Sequence, residues 1–274
     1  MDRQLVFENL HAKWHQNAIV PSSGRLSIGY APFDSALGGG LIEKRVHLVR
    51  AKMPSSLSTA FTLAMIAMMI KRGTLSGPIV WCGPLRGGHT GQLFGSGLAE
   101  MGLRTEQFIF VREPHPLRRM AAFEEALGTS GLGAVINEYG SLSEKTDLWQ
   151  RSARRLQLAC ERGTAAGFMV GAAGRANGFE TAWHIAPSFN HHASEADWRP
   201  VWDVHLDHAR GGYPAQASLM WDRHKACLTA LPSDARTASG TTPPSFYDAP
   251  YLSQKRITNR HISDKQASFY HRAS

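Results

Sequence analysis

A strand, a short turn and a helix follow one another at residues 45–70, and the turn carries polar side chains that could contact phosphate. The run RVHLV at residues 45–49 is typical of a buried strand, and residues 60–70 form an apolar run of helical length. Such a turn binds nucleotide phosphates when glycines let the backbone approach the anion and a Gly-Lys-Ser/Thr sequence opens the helix. Phosphate binding is therefore the first chemistry that this stretch suggests.

The turn lacks the groups that phosphate binding requires. Residues 41–72 contain no glycine, and Lys52, the only lysine of the turn, stands at its start rather than at the beginning of the helix. Two interpretations follow: an ATPase with an unusual loop, or a protein that has the fold without the chemistry.

A second polar string, DVHLDH, contains side chains that can bind metals. Asp203, His205, Asp207 and His208 are spaced like ligands, but Trp202, Val204 and Leu206 alternate with the first of them. This period of two is typical of a half-buried strand with one polar face. The three cysteines are widely spaced and form no CxxC pair. We therefore predict no metal site.

Short apolar runs alternate with helical patterns through most of the chain. Runs such as PIVWC, FIFVR, GAVINEY and GFMVG read as strands, and PLRRMAAFEEALG reads as a helix with Leu117, Met120, Phe123 and Leu127 on one face. After residue 178 strands follow one another, the last two forming a hairpin across residues 210–214. The pattern predicts an α/β fold with a mostly parallel, doubly wound sheet and a C-terminal antiparallel β-hairpin.

The ends of the chain differ from this core in composition. Residues 1–23 are predicted to form a short helix and a linker, residues 24–232 the core, and residues 233–274 a flexible basic tail with six Lys/Arg and three Asp. No apolar run reaches the roughly 20 residues of a membrane span, and the N-terminus lacks the apolar core of a signal peptide. We expect a soluble cytoplasmic protein with no membrane partner.

The tail is polar but carries scattered aromatic residues. Such residues act as anchors in protein interfaces, because they bury a large area with few rotatable bonds. The candidate partner-binding residues are Phe246, Tyr247, Tyr251, Phe269 and Tyr270.

The chain is basic, with a formal net charge of +8 in 274 residues and a pI near 9.7. This balance favours polyanionic partners such as nucleic acid. A basic helix at residues 148–162 presents Arg151, Arg154 and Arg155, and Arg175 lies in a later loop. These four arginines are the candidate nucleic-acid contacts, whereas a solvated helix face is the alternative for each of them.

Several stretches resemble a known family. LSIGYAPFDSALGGGLIEKRVHLVR resembles the entry to the RecA core, AAFEEALGTSGLGAVINEYGSL its magnesium-site strand, and WDVHLDHARGGYPAQASLMWD its terminal hairpin. More narrowly, GGLIEKRVHLV, FGSGLAEMGL, FEEAL, SARRLQLACERG and ARGGYPAQASLMWD together are similar to the ImuA family, RecA-related accessory proteins of damage-induced bacterial mutagenesis. The resemblance covers residues 24–223.

The resemblance indicates where the ATPase groups of a RecA-type core would stand. Thr59, Ala60 and Phe61 replace the Gly-Lys-Thr sequence, and no acidic residue occurs in residues 79–99, where a carboxylate should activate water. The magnesium-site aspartate is replaced by Asn137, which is followed by Glu138. The resemblance therefore implies a pseudo-ATPase with a degenerate phosphate loop, a degenerate magnesium site, no catalytic residue and no cofactor.

The same resemblance implies partners. They are an ImuB-like polymerase-related protein, an error-prone C-family DNA polymerase and RecA itself, with the protein acting as a non-catalytic adaptor in SOS-induced translesion synthesis. Because the first DNA-binding loop of RecA is shortened here, we expect DNA contact to be weak, independent of sequence and sensitive to salt. The alternatives are an ATP-dependent RecA paralogue that acts on DNA and a SulA-like inhibitor of cell division.

Overall fold

A computed structural model describes most of the region between residues 24 and 231. The described residues are 24–27, 30–51, 56–73, 75–84, 93–139, 146–171, 176–188 and 199–231, with the backbone alone for residues 146–150. They belong to the first of two compact units, Met1–Pro232, whereas the second unit, Ser233–Ser274, lies outside the described residues.

Strands and helices alternate through the first two thirds of the described residues, and strands follow one another after that. In chain order the elements are β1 (Arg25–Leu26), α1 (Ala31–Ala36), β2 (Leu41–Ile42), β3 (Val46–Ala51), α2 (Ser56–Lys71), β4 (Ile79–Gly83), α3 (Gly95–Glu100), a 3₁₀ turn (Thr105–Gln107), β5 (Phe108–Arg112), α4 (Pro116–Leu127), β6 (Ala134–Tyr139), α5 (Thr146–Arg162), β7 (Ala166–Gly171), β8 (Thr181–Pro187), β9 (Val201–Ala209), β10 (Ala215–Asp222) and β11 (Cys227–Ala230).

Nine of the described strands form one mixed sheet in the order β11-β10-β9-β8-β3-β7-β6-β4-β5. The six strands from β8 to β5 are parallel, whereas β9, β10 and β11 continue the sheet in antiparallel pairs. The predicted α/β class, the mostly parallel sheet and the C-terminal antiparallel strands are confirmed. The sequence did not predict β11, a short strand whose turn is held by Asp222, which accepts hydrogen bonds from the backbone of His224 and Lys225.

The two faces of the sheet bury different helices. Helix α2 packs on one face against β3, β7 and β8, and α4 and α5 pack on the other. The central strands β4, β6 and β7 are buried along their whole length, as expected of parallel strands covered on both faces. Most residues of α2 are buried, in one apolar cluster with residues of the sheet, α1 and α3. Neither α2 nor any other helix in the described residues is long and apolar enough to cross a bilayer.

Helix α4 forms where it was predicted, but its buried face is rotated at its start. Phe123 and Leu127 are fully buried and Met120 packs at the edge of the core, whereas Leu117 is 70 % exposed. Arg119 is buried instead. The start of α4 thus buries Arg119, whose guanidinium binds two backbone carbonyls, in place of Leu117.

A buried histidine ties β3 to β8. The Nε2 atom of His47 lies 3.0 Å from the carbonyl oxygen of Ile42, and its Nδ1 atom lies 2.8 Å from the hydroxyl of Thr181. The indole N–H of Trp183 donates to the same hydroxyl at 2.7 Å. The hydroxyl of Thr181 therefore donates to His47, which is neutral. Burial lowers the pKa of His47 from 6.5 to about 4.

The lowered pKa of His47 predicts a loss of stability in mild acid. Because the folded protein holds the histidine neutral while the unfolded chain binds a proton below pH 6.5, stability falls as the pH drops from 6.5 towards 4 and then levels off. Between pH 7 and pH 5 this residue should account for about 2 kcal/mol of the loss. Urea titrations of the wild type and His47→Gln at both pH values measure it; an equal loss in the two proteins would contradict the assignment.

Candidate functional site

The edge of the sheet at which the parallel strands end is the place where open α/β sheets bind ligands. Here β3 leads into α2, β4 ends at Gly83, and β6 ends at Tyr139. Residues 52–55 and 85–92, which complete two of these connections, lie outside the described residues.

The residues that replace the Gly-Lys-Thr sequence lie inside α2 rather than at its N-terminal end. The helix begins at Ser56, so that Thr59, Ala60 and Phe61 follow after its first residues. Thr59 is buried, and Phe61 packs its ring against Trp183 and Trp202, with centroids 5.6 Å and 5.9 Å away. Phe61 is therefore a core residue, and it presents no group to a phosphate.

The N-terminal end of α2 also lacks the glycine and lysine of a phosphate-binding loop. The helix opens with Ser56, Leu57 and Ser58, which include neither glycine nor lysine. The hydroxyls of Ser58 and Thr59 are buried and have no hydrogen-bond partner among the described residues. The first turn can offer backbone N–H groups and the exposed Ser56 to a ligand, but no positive side chain.

The two residues of the predicted magnesium site lie on opposite faces of β6. Side chains alternate along a strand, and Val135 and Tyr139 pack with α4 and α5, whereas Ile136 packs with α2. Asn137 therefore points away from α2; its amide nitrogen lies 3.4 Å from the Met169 sulfur. Glu138 is on the α2 side, so a magnesium-binding role, if this edge had one, would belong to Glu138.

Glu138 lies beside the end of β4, and its side chain is largely buried. A Cβ atom built on Gly83 would come within 3.3 Å of a Glu138 carboxylate oxygen and 3.2 Å of the indole nitrogen of Trp81. Gly83 thus leaves the room that these two side chains occupy. Among the described residues, Glu138 is the carboxylate beside the end of β4 on the α2 side, and β4 itself adds none because Gly83 and Pro84 follow Cys82.

A buried arginine that the sequence analysis missed holds the ends of two strands. Arg119 donates from Nε to the carbonyl oxygen of Glu138 at 2.9 Å and from Nη1 to the carbonyl oxygen of Glu113 at 2.7 Å. It thereby joins the end of β6 to the segment that follows β5. Arg119, Phe123 and Leu127 follow one another at intervals of four residues, which places all three on one face of a helix. This spacing was the signal in the sequence that Arg119 lies on the buried face of α4.

Removing this arginine should destabilise the protein far more than removing its neighbour. Arg119→Met would leave two carbonyl groups without their charged donor, at a cost of about 2 kcal/mol. Arg118→Met, one residue earlier on the exposed side of α4, should change stability by less than about 0.5 kcal/mol. Urea denaturation of both variants compares them; equal midpoints would show that the Arg119 contacts contribute little.

The arginines predicted to contact nucleic acid do not share one environment. Arg151 and Arg154 are exposed on α5. Arg155 is paired with Glu124 of α4 through two contacts, 2.6 Å and 3.2 Å long. Arg175 lies outside the described residues. All three arginines thus lie exposed on α5, and Arg155 also forms an ion pair with Glu124 of the same chain.

The DVHLDH string forms β9, with Trp202, Val204 and Leu206 buried as the period of two predicted. Its polar side chains pair locally. Asp207 accepts from Arg50 at 2.7 Å, Asp203 accepts from the Ser218 hydroxyl at 2.5 Å, and the rings of His205 and His184 are 5.8 Å apart across β8 and β9. In the described part of the chain no cluster of three or more His, Cys, Asp or Glu side chains could hold a metal ion.

The predicted tail anchors cannot be located in this structure. They are Phe246, Tyr247, Tyr251, Phe269 and Tyr270, all of which lie outside the described residues.

Comparison with known proteins gives one line of similarity. No protein-family model matches the chain. The chain is similar to Protein ImuA. Two relatives of that name, from Caulobacter vibrioides strains NA1000/CB15N and ATCC 19089/CB 15, are each 29% identical to it over 206 residues, or 69% of this chain and 80% of the relative. This similarity supports the resemblance to the ImuA family that the sequence motifs carry.

Proposed function

We propose that this protein is a member of the ImuA family and acts as a non-catalytic adaptor with a RecA-like core in DNA-damage-induced translesion synthesis. The observation that carries the proposal is the similarity to Protein ImuA, which extends over 206 residues. The parallel sheet with its helix after β3 and its antiparallel C-terminal strands is compatible with a RecA-like core.

The chemistry of the strand ends supports an adaptor rather than an ATPase. Helix α2 opens without lysine or glycine, and its first turns are buried in the core through Phe61. Glu138 is the one carboxylate that the described residues place at the ends of β4 and β6 on the α2 side. One carboxylate, with no lysine beside it among the described residues, can neither neutralise a triphosphate nor position water and metal together.

We therefore expect the purified protein neither to bind ATP in the micromolar range nor to hydrolyse it. Calorimetric titration with ATP and Mg²⁺, with an active RecA as the positive control, measures binding, and phosphate release measures turnover. Micromolar binding together with turnover that Glu138→Gln abolishes would refute the pseudo-ATPase and favour an ATP-dependent RecA paralogue.

The partners that fit the proposal are an ImuB-like polymerase-related protein, an error-prone C-family DNA polymerase and RecA. Contact with DNA would be secondary. Exposed Arg151 and Arg154 could reach phosphates, but Arg155 is already paired with Glu124. Such contact would be weak and would decrease steeply with salt.

Capture from DNA-damaged source cells tests the adaptor function. The full chain should recover the polymerase-like partner. A variant with the five tail aromatics changed to alanine should recover less, because these residues are the proposed anchors. A matched control changes five polar residues of the same segment to alanine: Ser239, Thr241, Ser245, Ser253 and Ser268.

Each result of the capture distinguishes among the functions. Recovery of a polymerase-like protein by the wild type and the polar control supports the adaptor. Recovery of the cell-division ring protein instead would favour a SulA-like inhibitor. Full recovery by the aromatic variant would show that the tail is not the docking segment.

A further inference from the structure

The strand β5 forms one edge of the large sheet. Among the described strands it pairs with β4 alone. The N–H of Glu113, just after the strand, donates to the carbonyl of Gly83 in β4 at 2.9 Å. The backbone N–H and C=O groups of successive residues in a strand point to alternate sides. The backbone groups of Ile109 and Val111 therefore also face β4. The backbone groups of Phe108, Phe110 and Arg112 therefore face outward.

The described side chains of β5 are unusually apolar for an edge strand. Ile109 is 49 % exposed on the α4 side, and Phe110 is 37 % exposed on the opposite side. The Phe110 ring stacks on Phe108, with centroids 5.9 Å apart, and the Arg112 guanidinium lies 5.1 Å from its centroid. Natural edge strands are protected by charged side chains, proline or a bulge, whereas the strand FIFVR carries a single charge, at its last residue. An exposed apolar edge with outward backbone groups is a site for strand addition.

We propose that β5 pairs antiparallel with β5 of a second copy of this chain, joining the two sheets across a two-fold axis. In an antiparallel pair, residues with outward backbone groups must stand opposite one another. Placing the axis at Ile109 satisfies this rule, since Phe108 then faces Phe110 of the second copy.

The charges near the two ends of β5 favour a second copy of this chain as the partner that pairs with its free edge. With the axis at Ile109, Arg112 at the end of one β5 lies next to the 3₁₀ turn of the second copy, which carries Glu106, and the symmetry creates this approach of opposite charges twice. Glu106 lies in the 3₁₀ turn just before β5, and both it and Arg112 are exposed. The segment is thus complementary to itself in both its apolar centre and its charged ends.

A charge-exchange experiment on the full chain tests this pairing. Sedimentation equilibrium over a concentration series should give the wild type a mass of twice its 30.1 kDa. Arg112→Glu and Glu106→Arg should each sediment at the single-chain mass, because each places like charges near one another twice. An equimolar mixture of the two variants should return to the doubled mass, since every contact again joins opposite charges.

Matched charge reversals on the exposed side of α4 serve as controls. Arg118→Glu and Glu125→Arg, both exposed, should keep the doubled mass, and the melting transition of every variant should stay close to that of the wild type. A single-chain mass for the wild type at all concentrations would overturn the proposal, and this is the result expected if another protein or the chain's own tail covers β5. The proposal would also be overturned if Arg112→Glu or Glu106→Arg alone had the doubled mass, or if their mixture kept the single-chain mass.

A cross-link provides a second measurement that needs no charge reversal. On the two-fold axis Ile109 would face its own copy, so Ile109→Cys should form an intermolecular disulfide under mild oxidation. Leu158→Cys on α5, at a site of similar exposure (47 %), should not. Equal cross-linking of both variants would contradict pairing at β5.

Discussion

The packing of Phe61 against Trp183 and Trp202 is the contact on which much of this structure depends. It fixes the start of α2 on β8 and β9, where the parallel half of the sheet meets the antiparallel half. Large aromatic side chains supply much of the burial energy of a core. The same contact makes Phe61, which the resemblance aligns with the Gly-Lys-Thr sequence, a core residue within α2.

Among the described residues, hydrogen bonds to the backbone tie the end of β6 to the segment after β5. Arg119 uses its guanidinium to hold the carbonyls of Glu138 and Glu113. Asn137, which the resemblance placed at the magnesium site, is buried on the opposite face. These contacts serve packing and the backbone, and they support the adaptor function proposed above.

The chain has a net charge of +8, but its arginines are not all unpaired. Many arginines of the core take part in ion pairs within the chain: Arg45 with Glu161 and Glu180, Arg50 with Asp207, Arg155 with Glu124, Arg210 with Glu180, and Arg223 with Glu100. Burial raises the pKa of the Glu180 carboxyl in spite of its arginine neighbours. Part of the basic composition therefore serves internal pairing, which agrees with a secondary role for DNA contact.

The sequence by itself determined the alternation of strands and helices, the half-buried period of β9, and the lack of glycine and lysine before α2, because these depend on residue type and local spacing. It could not decide that Glu138 rather than Asn137 faces α2, since a period of two shows that neighbours point to opposite faces but not which helix covers each face. It also could not show that Arg119 is buried, that Thr59 to Phe61 lie inside α2, or that β5 is the edge. Those features depend on strand order and on packing between residues distant in the chain, which only the tertiary structure decided.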